Sequence, residues 1–212
     1  MKEEVVMKYF KYTNKEIEYL KKKDKKLGKE IDRIGMVKRE VEPDIFSALI
    51  SSIISQQIST KAAITVKNRL IELIGEIIPQ NINKIELESI QKCGMSLRKA
   101  SYIRGIAEVA INKTVDFENL HSMTDDEVIK ELTSLKGVGE WTAEMLLIHS
   151  LQRPNILSYK DLGIRKGIMK LYKLTELSKK EFEIYRIKYS PYCSVASLYL
   201  WEISSETTEG KD

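Results

Sequence analysis

The residues best suited to hold an anion are Lys136-Gly137-Val138-Gly139, within Leu135-Lys136-Gly137-Val138-Gly139-Glu140-Trp141-Thr142-Ala143. Two glycines one residue apart interrupt any helix that would run through them and predict a tight turn. A turn without side chains lets backbone N–H groups come very close to a ligand. At the start of a helix such groups form a site for a phosphate oxygen. Lys136 adds a positive charge there. Helices are expected on both sides. Thr124-Asp125-Asp126-Glu127 has the Thr-x-x-Glu form of a capping box and opens an apolar series, Val128, Ile129, Leu132 and Leu135, at helical spacing. Trp141, Met145, Leu146 and Ile148 resume that spacing beyond the glycines. The same pattern suits a plain helical hairpin that binds nothing, and the glycines by themselves favour the plain hairpin.

Further along, the chain reads Ile156-Leu157-Ser158-Tyr159-Lys160-Asp161-Leu162-Gly163-Ile164-Arg165. Leu-Lys-Gly-Val-Gly-Glu-Trp-Thr-Ala followed at this distance by Lys-Asp-Leu-Gly-Ile-Arg resembles the helix-hairpin-helix DNA glycosylases. Within them it is similar to the DNA-3-methyladenine glycosylase II branch. The resemblance covers most of the chain, from Phe46 to Trp201. It implies an all-α fold of two helical lobes, with a helix-hairpin-helix motif and a cleft for the DNA lesion between the lobes. It also implies a monofunctional DNA N-glycosylase that flips out alkylated bases, 3-methyladenine-like purines, and excises them in base excision repair. The implied partner is double-stranded DNA with a damaged base, bound by a monomer through Lys136, Gly137, Val138, Gly139 and Thr142.

Breaking an N-glycosidic bond passes through an oxocarbenium-like sugar, whose positive charge a nearby carboxylate stabilises. Asp161 is the residue the resemblance assigns to that role. It also precedes a helix start at Leu162-Gly163-Ile164, so it reads equally as an N-cap, and the two roles do not exclude each other. A helix N-terminus favours an ionised carboxylate, the form an electrostatic stabiliser needs. Trp141 stands where bifunctional relatives carry the lysine that forms a Schiff base. An indole cannot attack the sugar, but its face suits a positively charged alkylated purine; core packing is the other reading for this side chain. Trp201, Met145 and Tyr159 complete the base pocket that the resemblance implies. Ser55-Gln56-Gln57-Ile58-Ser59 resembles the segment carrying the DNA wedge, with Gln57 filling the gap left by the extruded nucleotide; simple capping of the preceding helix is the alternative. No cofactor is expected beyond a monovalent cation, which the resemblance places at the backbone carbonyls of Thr133, Leu135 and Val138. His121 and His149 stand apart in the sequence, and no side-chain metal constellation is visible.

The sequence departs from the family pattern at three places. Lys160 stands where close relatives commonly have a second Asp, Met145 where some have Tyr, and Cys193 where Arg is frequent. Two other functions remain open at this stage: a helix-hairpin-helix module that binds DNA without catalysis, and a bifunctional oxidised-base glycosylase and lyase using Lys160.

Composition sets independent bounds. The 212 residues suit one domain, 1–212, or two small lobes sharing a core. A net charge of +4 permits a nucleic-acid partner without demanding one. Cys93 and Cys193 are the only cysteines, too few for a four-cysteine iron–sulfur cluster and no disulfide framework. Met1-Lys2-Glu3-Glu4 lacks a signal core and no stretch is apolar enough to span a bilayer, so a cytoplasmic protein is expected.

The elements that must position these residues follow in chain order. Residues 1–40 form a charged helical segment in which Tyr9, Phe10, Tyr12, Ile17 and Leu20 pack on the body. There Lys21-Lys22-Lys23-Asp24-Lys25-Lys26 is a solvated face or a track for phosphates. Pro43 suits the first turn of an apolar helix through Phe46, Leu49, Ile50, Ile53 and Ile54. Ser59 starts the next helix and Gly75 closes it; Pro79-Gln80-Asn81 is expected as a loop. Cys93-Gly94-Met95-Ser96 separates two helices, and Arg98 and Lys99 on the second read as exposed charges or DNA contacts. After the hairpin motif at 124–150, Ser178-Lys179-Lys180-Glu181 is a second capping box. Pro191 starts the last helix, and 202–212 is a polar tail.

Overall fold

The computed structural model describes residues 8–206. Among them the chain forms α1 (Asn14–Lys23), α2 (Lys25–Ile34), α3 (Ile45–Ser55), α4 (Thr60–Ile74), α5 (Pro79–Asn83), α6 (Leu87–Lys92) and α7 (Leu97–Ile111). A 3-10 turn, Asn119–Ser122, leads to α8 (Asp125–Thr133) and α9 (Glu140–His149). Then come α10 (Leu162–Tyr172), α11 (Lys179–Tyr189) and α12 (Cys193–Ser205). The expected all-α fold is found: extended pairing among the described residues is confined to a bridge between Tyr9 and Glu40. No helix among them is long and apolar enough to cross a membrane. The Met1-Lys2-Glu3-Glu4 segment and the end of the polar tail lie outside the described residues.

The chain divides into two compact units, one spanning Glu42–Leu151 and the other joining the chain up to Val41 to the chain from Gln152 onward. In the 42–151 unit, α3 is the hub. Ile45, Phe46, Leu49, Ile50, Ile53 and Ile54 are all buried, which suits a helix packed by α4, α7 and α9. Asp44 caps it, accepting from the Ser47 N–H at 2.9 Å. Pro43 therefore lies just before the helix rather than in its first turn. Pro79-Gln80-Asn81 is not a loop but the start of α5, because a proline at the first helical position has no N–H to lose and a φ already suited to the helix.

In the other unit the lysine run is broken. The buried Asp24 carboxylate accepts from the N–H groups of Lys26 and Leu27 at 3.0 and 3.1 Å, so α1 stops there and α2 starts. Its second oxygen accepts from the hydroxyls of Tyr172 and Tyr189 and from the Lys188 ammonium, tying α2 to α10 and α11. Asp24 thus splits what would be one cationic track into two helices around a satisfied buried charge. Tyr9, Phe10 and Tyr12 precede α1 in extended backbone; among these and Leu20, Phe10 and Leu20 are buried.

α10 packs extensively against α12. Gly167 makes it possible: a Cβ there would collide with the Leu200 carbonyl. Because that obstacle is backbone, overpacking of about 3 kcal/mol is expected for Gly167→Ala. Thermal unfolding of the variant should fall by on the order of 5–10 °C; an unchanged midpoint would show that α12 can move aside. α12 begins at Cys193, with Tyr192 as its N-cap, so Pro191 stands outside it. It continues through Ser205, and Glu202 pairs with Arg39 at 2.9 Å, so the first part of the expected polar tail is ordered helix. Burial pushes the Cys193 thiol up to about 12, and the Cys93 thiol is raised by burial too, so both are inert free thiols.

Candidate active site and DNA-binding hairpin

Asp161 is the N-cap of α10, its side chain accepting from the Ile164 N–H at 2.8 Å. The same oxygen, Oδ1, accepts from the indole N–H of Trp201 at 2.9 Å. Asp161 as a whole is only 7% exposed. A backbone N–H at a helix N-terminus and an indole N–H thus hold the Asp161 side chain in place. Two features of the chain permit the arrangement. Gly163 leaves room for the indole, since a Cβ on it would come within 2.8 Å of the Trp201 ring. Arg39, held by Glu202, places its guanidinium 5.5 Å from the centre of that ring. Neither residue was expected to shape the site. Gly163 carried a signal as a glycine in the first turn of a helix; Arg39 carried none.

Trp201, expected as a base-stacking residue, is half-buried and donates to Asp161. Tyr159 is half-buried with its ring edge-on to Phe182, the centroids 5.3 Å apart, and the Arg165 guanidinium 5.2 Å from its centre. Lys160 is exposed.

The hairpin lies in the 42–151 unit. Thr124 and Glu127 form the expected capping box at the start of α8. Gly137 has φ of +88°, a conformation glycine adopts without strain, and the Tyr102 ring lies directly against its Cα. Gly139 is the N-cap of α9 with φ of −99° and open space around its Cα. Only the first of the two glycines is therefore demanded by the turn; the second leaves a surface clear. The Val138 N–H is not directed outward, because it donates to the Leu135 carbonyl at 3.1 Å, closing the turn. Val138 and Thr142 bury their side chains, whereas Lys136 is exposed. Trp141, in the first turn of α9, is 41% exposed, which sets aside the core-packing reading for it. Met145, one turn later, is half-buried.

The loop after α3 carries two further surprises. Gln57 is exposed and adopts φ of +59°, unusual for a residue with a side chain. Gln56 donates its amide to the Gly137 carbonyl at 3.0 Å. Lys99, expected as an exposed charge or a DNA contact, instead reaches the carbonyls of Ile54 and Gln56 at 2.8 and 2.5 Å. Burial holds its ammonium below the ordinary lysine value. These long-range bonds had no local signature.

A helical fold with a Gly-x-Gly hairpin between α8 and α9 is that of a helix-hairpin-helix protein. Residues 50–189 match the HhH-GPD superfamily base excision DNA repair protein family, and the chain belongs to it. DNA-3-methyladenine glycosylase 1 of Schizosaccharomyces pombe is 35% identical over 167 residues, covering 75% of this chain and 72% of that protein. The crystal structure of a DNA-3-methyladenine glycosidase from Bacillus halodurans superposes with a TM-score of 0.84 at 35% identity, covering 94% of this chain and 93% of the other. A 3-methyladenine DNA glycosylase of Schizosaccharomyces pombe in complex with abasic DNA gives 0.81 at 29% identity, over 93% of this chain and all of the other.

Proposed function

We propose that the protein is a monofunctional DNA N-glycosylase that excises alkylated purines in base excision repair. The observation that carries this reading is the Asp161 carboxylate, capping α10 and held by the Trp201 indole N–H. As the N-glycosidic bond breaks, its electron pair leaves with the base and positive charge grows on the sugar. Asp161 stabilises that charge, and water adds to the anomeric carbon to leave an abasic site. A cationic alkylated base leaves as a neutral one, so these lesions need the least help from an acid. The exposed indole of Trp141 offers such a base a π-face, and Gln57 fills the gap in the duplex. The hairpin at Lys136, Gly137 and Gly139 holds the phosphates of double-stranded DNA. The relatives named for 3-methyladenine support the substrate class. We also propose that the protein acts as a cytoplasmic monomer.

Among the described residues no cluster of His, Cys, Asp or Glu could hold a metal ion. Backbone carbonyls suit a monovalent cation, and Thr133 and Leu135 lie at the C-terminal end of α8, where the helix dipole is negative. The Leu135 carbonyl already accepts the Val138 N–H, so a cation there would share it with the turn.

The test is release of free base from methylated DNA, comparing 3-methyladenine with 7-methylguanine and hypoxanthine. Preferential release of 3-methyladenine is expected; no release of any alkylated base would leave a non-catalytic DNA-binding module. The strand itself should remain uncut after base loss, since Trp141 occupies the place of a Schiff-base lysine. Borohydride should therefore trap no covalent adduct with abasic DNA. A trapped adduct that disappears in Lys160→Ala would make the enzyme bifunctional.

A further inference from the structure

Gln57 is an exposed residue of the loop between α3 and α4, and its φ of +59° is where a glycine would be expected after a helix. An L-residue in this conformation is disfavoured by roughly 1–2 kcal/mol. Lys113, Gln152 and Lys173 share this conformation; what sets Gln57 apart is the set of contacts that hold the residues before it. The holding groups are identifiable. α3 ends without a glycine, and its Ile54 carbonyl and the following Gln56 carbonyl both accept from the Lys99 ammonium, at 2.8 and 2.5 Å. The ammonium comes from α7, whose own start is capped by Ser96. The Gln56 side chain turns the other way and donates to the Gly137 carbonyl at 3.0 Å. Gly137 is the residue of the hairpin whose conformation is most constrained, by its φ of +88° and the Tyr102 ring against it. One carbonyl pair and one amide thus fix the residues on the N-terminal side of Gln57 to α7 and to the hairpin.

We propose that Lys99 and Gln56 are positioning residues that lock Gln57 in its left-handed conformation and join the loop to the hairpin, so that wedge and phosphate anchor engage DNA as one rigid piece. This rests on the reading of Gln57 as the wedge. Neither Lys99 nor Gln56 needs to touch DNA for this. Their effect passes through Gln57, and that gives a signature distinct from a general loss of stability.

The experiment measures the affinity of the full chain for a duplex carrying a tetrahydrofuran abasic analogue, relative to the undamaged duplex. Gln57→Gly should reduce this preference while relieving backbone strain, so its thermal midpoint should not fall. Lys99→Met, close in volume but without the charge, should reduce the preference about fivefold, the scale of one or two lost hydrogen bonds. In the Gln57→Gly background it should reduce it no further, because residues acting through one another are not additive. A loss that persists in that background, or no loss in Lys99→Met alone, overturns the proposal. If Gln57→Gly itself keeps the full preference, the wedge reading fails first and the positioning role falls with it. Should Lys99→Met not fold, Gln56→Met removes the bond to Gly137 alone and carries the same comparison.

Discussion

Asp161→Asn is expected to abolish base release while leaving the fold and DNA affinity intact. Asparagine is nearly isosteric, and it is as good an N-cap as aspartate. Its amide oxygen can accept from both the Ile164 N–H and the Trp201 indole N–H, as Oδ1 of Asp161 does. What disappears is the negative charge, and with it the stabilisation of positive charge on the sugar. Removing one such electrostatic group commonly lowers turnover a hundredfold or more, roughly 3 kcal/mol. Single-turnover release of 3-methyladenine should therefore fall by at least that factor. Binding to an abasic duplex should stay within about threefold, since phosphate contacts dominate affinity. Asp161→Ala should in addition lose the cap and about 1 kcal/mol of stability. A folded Asp161→Asn protein with near wild-type turnover would reduce Asp161 to a helix cap.

How well the sequence revealed these features followed the range of the interactions involved. The capping boxes at Thr124 and Ser178 close within three residues, and both stand where the sequence places them. The apolar spacing of α3 showed its burial for the same reason, since one helix face is written in consecutive residues. The errors lie where competing local signals needed geometry to separate them. Pro43 and Asp44 both suit a helix start, and only the bond to Ser47 decides for Asp44. The lysine run was read by charge, but Asp24 within it is buried by Tyr172, Tyr189 and Lys188, far along the chain.

The site divides the same way. The two glycines were singled out by type and spacing, and Asp161, Trp141 and Trp201 by the resemblance to the glycosylase family. The Trp201–Asp161 bond, the Arg39 guanidinium above the indole, and the Lys99 and Gln56 tethers join residues distant in sequence, and no spacing rule reaches them. Trp201 is the instructive case: the resemblance places it in the base pocket, and its position also makes it a donor to the carboxylate. Lys99 is another. Its charge suggested solvent or phosphate, yet its stem lies in the unit and its ammonium closes the end of α3.

The two hairpin glycines should respond to alanine in opposite ways. At Gly137 the methyl would be forced into the Tyr102 ring and would sit on a backbone with φ of +88°. The backbone conformation alone disfavours alanine by about 1–2 kcal/mol. Overpacking against the ring adds about 1–3 kcal/mol. Gly137→Ala should therefore lower the thermal midpoint markedly and lose DNA binding through the fold. At Gly139 neither obstacle exists: φ is −99° and nothing lies near the added atom. Its stability should change by no more than about 1 kcal/mol, the difference between glycine and alanine at an N-cap. If the bare surface at Gly139 admits a phosphate, Gly139→Ala should weaken binding to every duplex alike, because a backbone contact carries no sequence information. Lys136→Ala should lower the slope of log affinity against log salt by about one, the share of a single phosphate contact. Thermal unfolding and salt-dependent affinity, measured on the same preparations, separate the two glycines. Unchanged affinity in both Gly139→Ala and Lys136→Ala would return the motif to a plain helical hairpin and move the DNA anchor elsewhere on the protein.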